Sequence, residues 1–214
     1  MPHIESETKV KKEELKALIN LGLMHFYGRG CDINQRKGIK IIEQVSPAIN
    51  AKAQRLLGEM YIHSNHFSLF KDRKAFAWFK KAASRDDVEA MFYVGRSYIT
   101  GFGVFKNFYQ ANYWLASAAI KGHPGALYYL AESYFFGFGI SRDFLKAAKM
   151  CQMAAEQDYS HAQYALGVIQ ASESVFLGNK SQAKAQAFEW FYKAAEQGHA
   201  EAQYNVGIML INGE

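Results

Sequence analysis

Apolar and small residues recur at helical spacing along most of the chain. Between residues 126 and 134, such side chains stand at the first position and then three, four, seven and eight residues later, on one face of a helix. A Gly-x-Gly turn follows at 137–139, and a second helical pattern runs from the polar pair Arg142-Asp143 to the Ala-Ala pair at 154–155. Because glycine adopts the left-handed conformation that ends helices, this pattern predicts a helix, a turn and a second helix.

The helix-turn-helix pattern repeats with a period of 36 residues. Ala-Ala pairs begin at residues 82, 118, 154 and 194, in steps of 36, 36 and 40. A small residue that follows Leu or Val advances in steps of 36, 37, 36, 36 and 40, at Gly22, Gly58, Gly95, Ala131, Gly167 and Gly207. The two landmarks agree on the period, and they place one added residue in the second unit and four in the fifth.

A single unit of this kind cannot bury its own apolar face, so neighbouring units must stack. The sequence therefore predicts an all-α fold, an open α-solenoid of about five and a half repeats. Residues 1–15 are expected to form a polar N-terminal segment and residues 16–214 a single solenoid. The expected repeats are 16–50, 51–87, 88–123, 124–159 and 160–199, followed by a half-repeat at 200–214.

Composition narrows the class of protein. The chain is 50% hydrophobic and 15% aromatic, which excludes a disordered chain. Its two cysteines, Cys31 and Cys151, cannot form a disulfide framework, so a reducing compartment, the cytoplasm, is expected. The charged N-terminus is unlike a secretory signal, and no apolar run has the length of a membrane span, so membrane insertion is not expected.

Several motifs resemble a known repeat family. Ala-Gln-Tyr-x-x-Gly occurs at 162–167 and 202–207, Lys-Ala-Ala-Glu-Gln-Gly-His at 193–199, and Gly-x-Gly-Val/Ile at 101–104 and 137–140. Together they resemble the Sel1-like repeat (SLR) of the tetratricopeptide superfamily, and the resemblance extends over roughly residues 16 to 214. It implies a right-handed superhelix that binds proteins or peptides and has no catalytic machinery of its own. It does not identify the partner.

No motif for catalysis or for a cofactor emerges. The Gly-x-Gly turns lack the third glycine and the preceding strand of a dinucleotide site, and they recur with the repeat. His123 and His199 recur at equivalent positions, which indicates helix caps. A zinc ion at His63 and His66 would need two further ligands, and none lies beside them. We therefore expect no enzyme activity, no cofactor, no metal and no small-molecule substrate.

The net charge of +5 raises the question of nucleic-acid binding. The densest basic runs, 9–16 and 71–81, also contain acidic or apolar residues and are typical of solvated helix faces. No nucleic-acid partner is expected.

By analogy with tetratricopeptide proteins, the first helix of each repeat lines the concave surface. This places eight candidates for protein binding there: Arg55, Glu59, Phe92, Arg96, Tyr128, Glu132, Phe135 and Tyr164. Rings and charges of this kind contribute strongly to binding when buried in an interface. Alternatively, Glu59, Arg96 and Glu132 form salt bridges within the stack, and the tyrosines serve packing.

The four added residues of the fifth repeat fall within 170–181, where an elongated loop with an apolar tip is expected. Phe176 is the candidate for binding in this loop, unless the tip packs against the next helix. The sequence thus favours a non-enzymatic adaptor or scaffold that binds a protein or peptide on its concave face. The alternative is a dedicated inhibitor or immunity protein that neutralises one effector or enzyme.

Overall fold

Helices joined by short turns follow one another along the whole of the described chain. The computed structural model describes residues 2–45, 51–65, 70–176 and 180–212. Within these ranges the secondary structure is α-helical, without strands. The helices are α1 (Pro2–Tyr27), α2 (Gln35–Val45), α3 (Ala51–His63), α4 (Lys71–Ala83), α5 (Val88–Thr100), α6 (Phe108–Ile120), α7 (Pro124–Phe136), α8 (Phe144–Ala155), α9 (Ser160–Phe176), α10 (Lys180–Glu196) and α11 (Ala200–Ile211). The predicted all-α repeat fold is confirmed.

The chain divides into two compact units, residues 1–107 and residues 108–214. In the first unit α1 packs on α2, and α4 packs on both α3 and α5. In the second unit each helix from α6 to α10 packs on the next helix in the chain. Contacts between consecutive helices are what stacked helical repeats produce.

The Gly-x-Gly turns end the first helices, as the sequence predicts. After α7, Gly137 has a φ of 78° and its N–H donates to the carbonyl oxygen of Ser133. Gly139 has a φ of 65°, and a Cβ there would lie 2.7 Å from the Cβ of Phe108. The first glycine therefore ends the helix, while the second allows the turn to approach the start of α6.

Side chains cap the start of several first helices. The Asp87 carboxylate accepts a hydrogen bond from the N–H of Ala90 at 2.8 Å, and His123 Nδ1 accepts one from the N–H of Ala126 at 3.1 Å. The expected capping role of His123 is thus confirmed. His199 occupies the same position before α11, but its side chain makes no capping hydrogen bond.

In the first, second and fifth repeats, the glycine in the middle of the first helix lies beside a large side chain of the second helix. A Cβ at Gly58 would lie 2.6 Å from the ring of Phe79, and a Cβ at Gly167 would lie 2.6 Å from the ring of Phe191. In the fourth repeat these two positions are occupied by Ala131 and Cys151, both buried. That repeat therefore lacks a large side chain where the second and fifth repeats place a phenylalanine.

Two segments are more helical than the sequence suggests. Helix α1 begins at Pro2, so the predicted polar segment 1–15 is helical from its second residue. Helix α9 continues to Phe176, so the expectation of a loop over 170–176 is wrong. In the fifth repeat Glu173 stands where Gly137 stands in the fourth, so nothing there ends the helix. The remainder of the expected apolar tip, residues 177 and 178, lies outside the described residues.

Candidate protein-binding groove

An open groove with a volume of about 440 Å³ lies between α7, α8 and α9 in the second unit. It is lined by Tyr128, Ala131, Glu132, Phe135 and Phe136 of α7, by Phe144, Ala147, Ala148 and Cys151 of α8, and by Tyr164, Ala165, Val168 and Ile169 of α9. The structure thus brings together four of the eight sequence-predicted binding residues: Tyr128, Glu132, Phe135 and Tyr164. Their binding role remains a prediction.

The groove exists because the side chains on its floor are small. Cys151 occupies the second-helix position where Phe191 stands in the next repeat, and Ala147 and Ala148 lie one turn earlier on α8. Cys151 and Ala147 are buried, and neither is long enough to fill the space between α7 and α9. A change of side-chain volume at one repeat position therefore opens a concave site.

Glu132 is the charged residue among the thirteen that line the groove. The Tyr128 hydroxyl donates a hydrogen bond to Glu132 Oε1 at 2.9 Å. Burial raises the pKa of Glu132, and the Tyr128 hydrogen bond and the nearby His161 offset this only in part. Within the described part of the chain, no Lys or Arg forms an ion pair with Glu132. The groove thus contains a half-buried carboxyl group without a cationic partner, which is a costly arrangement.

The Cys151 side chain forms part of the floor of the groove. It is buried, and its Sγ donates a weak hydrogen bond to the carbonyl oxygen of Ala162 at 3.7 Å. Burial and the neighbouring Glu132 raise the pKa of Cys151 to about 11. At neutral pH the thiol is therefore protonated and a poor nucleophile.

Exposed phenylalanine rings extend from the groove at the C-terminal end of α7. We call Phe135, Phe136, Phe138 and Phe144 the phenylalanine cluster. The ring of Phe135 lies 5.4 Å from that of Phe144 and 5.0 Å from that of Phe136, which stacks on Phe138 at 5.3 Å. All four rings are more than a third exposed, and contiguous exposed apolar surface of this kind marks interaction sites.

The two tyrosines of the groove also serve packing. Tyr164 stacks on His199 with ring centroids 4.7 Å apart, and the Tyr128 ring lies 5.6 Å from that of Tyr159. His161 lies between these pairs, 5.0 Å from His199 and 6.1 Å from Tyr128. Burial and the neighbouring His161 lower the pKa of His199. Packing and a groove-facing position therefore coexist at Tyr128 and Tyr164.

In the first unit, Arg55 on α3 forms charged contacts with its own helix and with the residue that precedes α5. It forms an ion pair with Glu59 on the same helix, and its Nε lies 3.3 Å from a carboxylate oxygen of Asp87, the residue that caps α5. Burial lowers the pKa of Arg55, but the two carboxylates outweigh that effect and the pKa is raised overall. These contacts favour the structural interpretation for Arg55 and Glu59.

The remaining pair in the first unit is Arg96 and Phe92. The Arg96 guanidinium is exposed and lies 5.9 Å from the ring centroid of Phe92 and 5.6 Å from that of Tyr93. Phe92 itself is only 6% exposed, so the expectation of an open ring there is wrong. The Phe92 ring therefore belongs to the core.

Two further sequence candidates fall partly outside the described structure. The side chain of Phe176 and the whole of His66 lie outside the described residues. The binding role of Phe176 stays a prediction. Among the residues that the structure describes, no cluster of three or more His, Cys, Asp or Glu could hold a metal ion.

Sequence analysis missed several residues of the groove: Phe136, Phe144, Cys151 and Ile169. The concave-face analogy counted positions on first helices only, which excluded every residue of α8. A signal for Cys151 was present in the sequence, because the other repeats place large side chains at its position, namely Ile42, Phe79, Leu115 and Phe191.

Fold and groove together define a helical-repeat protein with an open apolar groove. The Sel1 repeat model matches residues 15–44, 51–87, 88–123, 124–159, 160–199 and 200–214. The chain belongs to the Sel1 repeat family, whose members generally mediate protein–protein interactions as non-catalytic scaffolds.

Solved structures share this fold. A Sel1 repeat protein from Oxalobacter formigenes is 29% identical with a TM-score of 0.76, over 91% of this chain and 78% of that one. The protective antigen c5321 of uropathogenic Escherichia coli is 26% identical with a TM-score of 0.73, over 94% of this chain. The match spans only 42% of c5321. The immunity protein Pa5087 from Pseudomonas aeruginosa shares the fold, at 18% identity and a TM-score of 0.56, over 88% of this chain and 68% of that one.

No curated protein matches the chain. Among the helices that the structure describes, none has the length and hydrophobicity needed to cross a membrane.

Proposed function

We propose that this protein is an adaptor or scaffold, and that it binds a segment of another protein in the groove between α7, α8 and α9. The observation that carries the proposal is the agreement between the residues predicted from repeat position and the residues that line the groove. Four residues selected by repeat position, Tyr128, Glu132, Phe135 and Tyr164, line one apolar groove. A cytoplasmic location remains a prediction from the low cysteine content.

Physical chemistry supports a binding role for such a groove. Apolar walls provide a favourable free energy when a partner excludes water from them, roughly 25 cal/mol per Å² of apolar surface buried. The groove lies on three packed helices, so its residues need little reordering on binding, which reduces the entropic cost of association.

A matched pair of charge insertions tests the groove. Val168 lies in the groove and is 40% exposed, whereas Leu145 lies outside it on α8 and is 86% exposed. We expect Val168→Lys to abolish retention of the native partner in affinity purification from the native cell, and Leu145→Lys to leave it unchanged. Equal retention by wild type and Val168→Lys, measured by quantitative mass spectrometry, would contradict the proposal.

A second variant blocks the groove by volume rather than by charge. Ala131→Gly combined with Cys151→Phe restores the glycine and phenylalanine pair found at Gly58 and Phe79. The double variant should fold, because the second and fifth repeats already accommodate this pair. We expect it to bind the partner at least about tenfold more weakly, since the ring reduces the space that the partner occupies.

A dedicated inhibitor or immunity protein is the second candidate function. The immunity protein Pa5087, which is 18% identical to this chain, has the same fold, so the fold is compatible with this second function. An inhibitor should recover one partner in stoichiometric amount and abolish that partner's activity. An adaptor should recover several partners whose activities persist.

A further inference from the structure

The groove combines one carboxyl group with an otherwise apolar lining. We propose that it recognises a protein segment in which a Lys or Arg side chain lies close to an aromatic or large aliphatic side chain. The cationic group contacts Glu132, and the apolar side chain packs on the phenylalanine cluster. This inference rests on the proposed function and specifies the chemistry of the partner.

Charge complementarity identifies the cation. Glu132 accepts a hydrogen bond from Tyr128 at 2.9 Å, which engages one carboxylate oxygen. Among the described residues, the titratable groups that interact with the Glu132 carboxyl include the Tyr128 hydroxyl, the Cys151 thiol and the His161 ring, and none of these is a permanent cation. A Lys or Arg from a partner would supply the missing charge, and charge-assisted hydrogen bonds are among the strongest in proteins.

Selectivity follows from the same carboxyl group. A purely apolar segment would bury Glu132 further without a partner, and an acidic segment would add repulsion to that cost. Burial raises the pKa of Glu132 in the unoccupied groove, which shows that the apolar surroundings disfavour the anion. A bound cation reverses this preference, so the groove discriminates in favour of basic segments.

The spacing of the two contacts on α7 constrains the segment. Glu132 and Phe135 are three residues apart, so their side chains are neighbours on one face, with Cβ atoms roughly 5–6 Å apart. In an extended segment, side chains two residues apart share a face at a separation of about 7 Å. In a helical segment, residues three or four apart do so. The expected motif is therefore a basic and an apolar residue separated by two to four positions.

Peptide display on the full-length protein tests this specificity. A library of random 12-residue peptides is selected on wild type, on Glu132→Gln and on Glu189→Gln, a control that removes an exposed carboxylate of α10 outside the groove. Loss of binding to Val168→Lys then identifies the groove-dependent peptides. We expect groove-dependent peptides from wild type and Glu189→Gln to be enriched in Lys or Arg near an apolar residue. Peptides from Glu132→Gln should retain only the apolar preference.

A double-mutant cycle measures the contact itself. Replacing the basic residue of a selected peptide with Met, which keeps its length, should weaken binding to wild type at least about tenfold. The same replacement should weaken binding to Glu132→Gln by less than about threefold, because the carboxylate is already absent. Circular dichroism of each variant confirms that the helices are retained.

The failure of this inference can be distinguished from failure of the groove. Groove-dependent peptides without an excess of Lys or Arg would overturn the basic specificity and leave the proposed function in place. Selected peptides that all bind Val168→Lys as well as wild type, or an absence of selected peptides, would overturn both.

Discussion

At the scale of a single residue, two opposing effects act on the charge of Glu132. Its position among apolar side chains disfavours the charged form, whereas the hydrogen bond from Tyr128 favours it. The net effect is a pKa raised above the ordinary value of 4.5. A half-buried carboxyl group that lowers stability and has no Lys or Arg partner among the described residues is typical of a functional site.

This balance predicts how stability depends on pH. A raised pKa in the folded state favours the protonated form, so the favourable contribution is complete below about 4.5 and is lost as the pH rises through the folded-state pKa. At pH 7 the wild type therefore carries a desolvation cost that Glu132→Gln lacks, while Gln can still accept the Tyr128 hydrogen bond. We expect Glu132→Gln to be more stable than wild type at pH 7, with the difference shrinking towards pH 4.

Urea denaturation at the two pH values measures this effect. Glu189→Gln, which removes an exposed carboxylate, should change the denaturation midpoint little at either pH. A lower midpoint for Glu132→Gln than for wild type at pH 7 would show that the carboxylate stabilises the fold.

At the scale of elements, close approach between the first two helices depends on glycine. A Cβ at residue 38 of α2 would lie 2.4 Å from the carbonyl oxygen of Gly22 on α1 and 2.9 Å from the backbone nitrogen of Phe26. Backbone atoms cannot move aside as side chains do, so this crossing accommodates no Cβ at residue 38. Gly207 of α11 differs, because a Cβ there would meet nothing within 4 Å.

The two glycines therefore predict changes of opposite sign. Gly38→Ala should destabilise the protein by roughly 1–3 kcal/mol, because the added methyl group separates α1 from α2. Gly207→Ala should stabilise it by about 0.5–1 kcal/mol, since alanine is the better helix former and the site has room. Chemical denaturation of both variants beside wild type checks the pair. Destabilisation by both would show that α11 packs more closely than its surroundings indicate.

At the scale of the whole molecule, the chain comprises two compact units with the same repeat chemistry. Phe79 in the first unit and Phe191 in the second occupy equivalent positions, each beside a glycine of the preceding helix. Both rings are buried. Repeat proteins are stabilised mainly by contacts between neighbouring repeats. A destabilising substitution in one unit should therefore increase local unfolding first in that unit.

Truncation of these two rings tests that locality. Phe79→Ala and Phe191→Ala should each destabilise the protein by roughly 3–5 kcal/mol. Hydrogen exchange followed by mass spectrometry should show faster exchange over α3 to α5 in Phe79→Ala and over α9 to α11 in Phe191→Ala. Uniformly faster exchange across both units in either variant would indicate one cooperative unit instead.

Much of the architecture follows from sequence because its signals are local and repeated. The period of 36 residues, the helix-ending Gly137 and the capping His123 each depend on a few neighbouring residues, whose backbone preferences act within one or two turns. Repetition reinforces these signals, since an error in one unit is corrected by comparison with the others. The candidate residues of α7 were predictable for the same reason.

The tertiary structure decided what the local signals could not. Three features depend on how different segments of the chain pack together in space. They are the burial of Phe92, the pairing of Arg55 with Asp87 and the groove over Cys151. Sequence periodicity assigns a residue to a face, but it does not say whether the neighbouring helix fills the space above that face. The sequence by itself thus determined a stack of helix pairs. Packing volume, summed over three helices, decided that the groove lies beside Glu132.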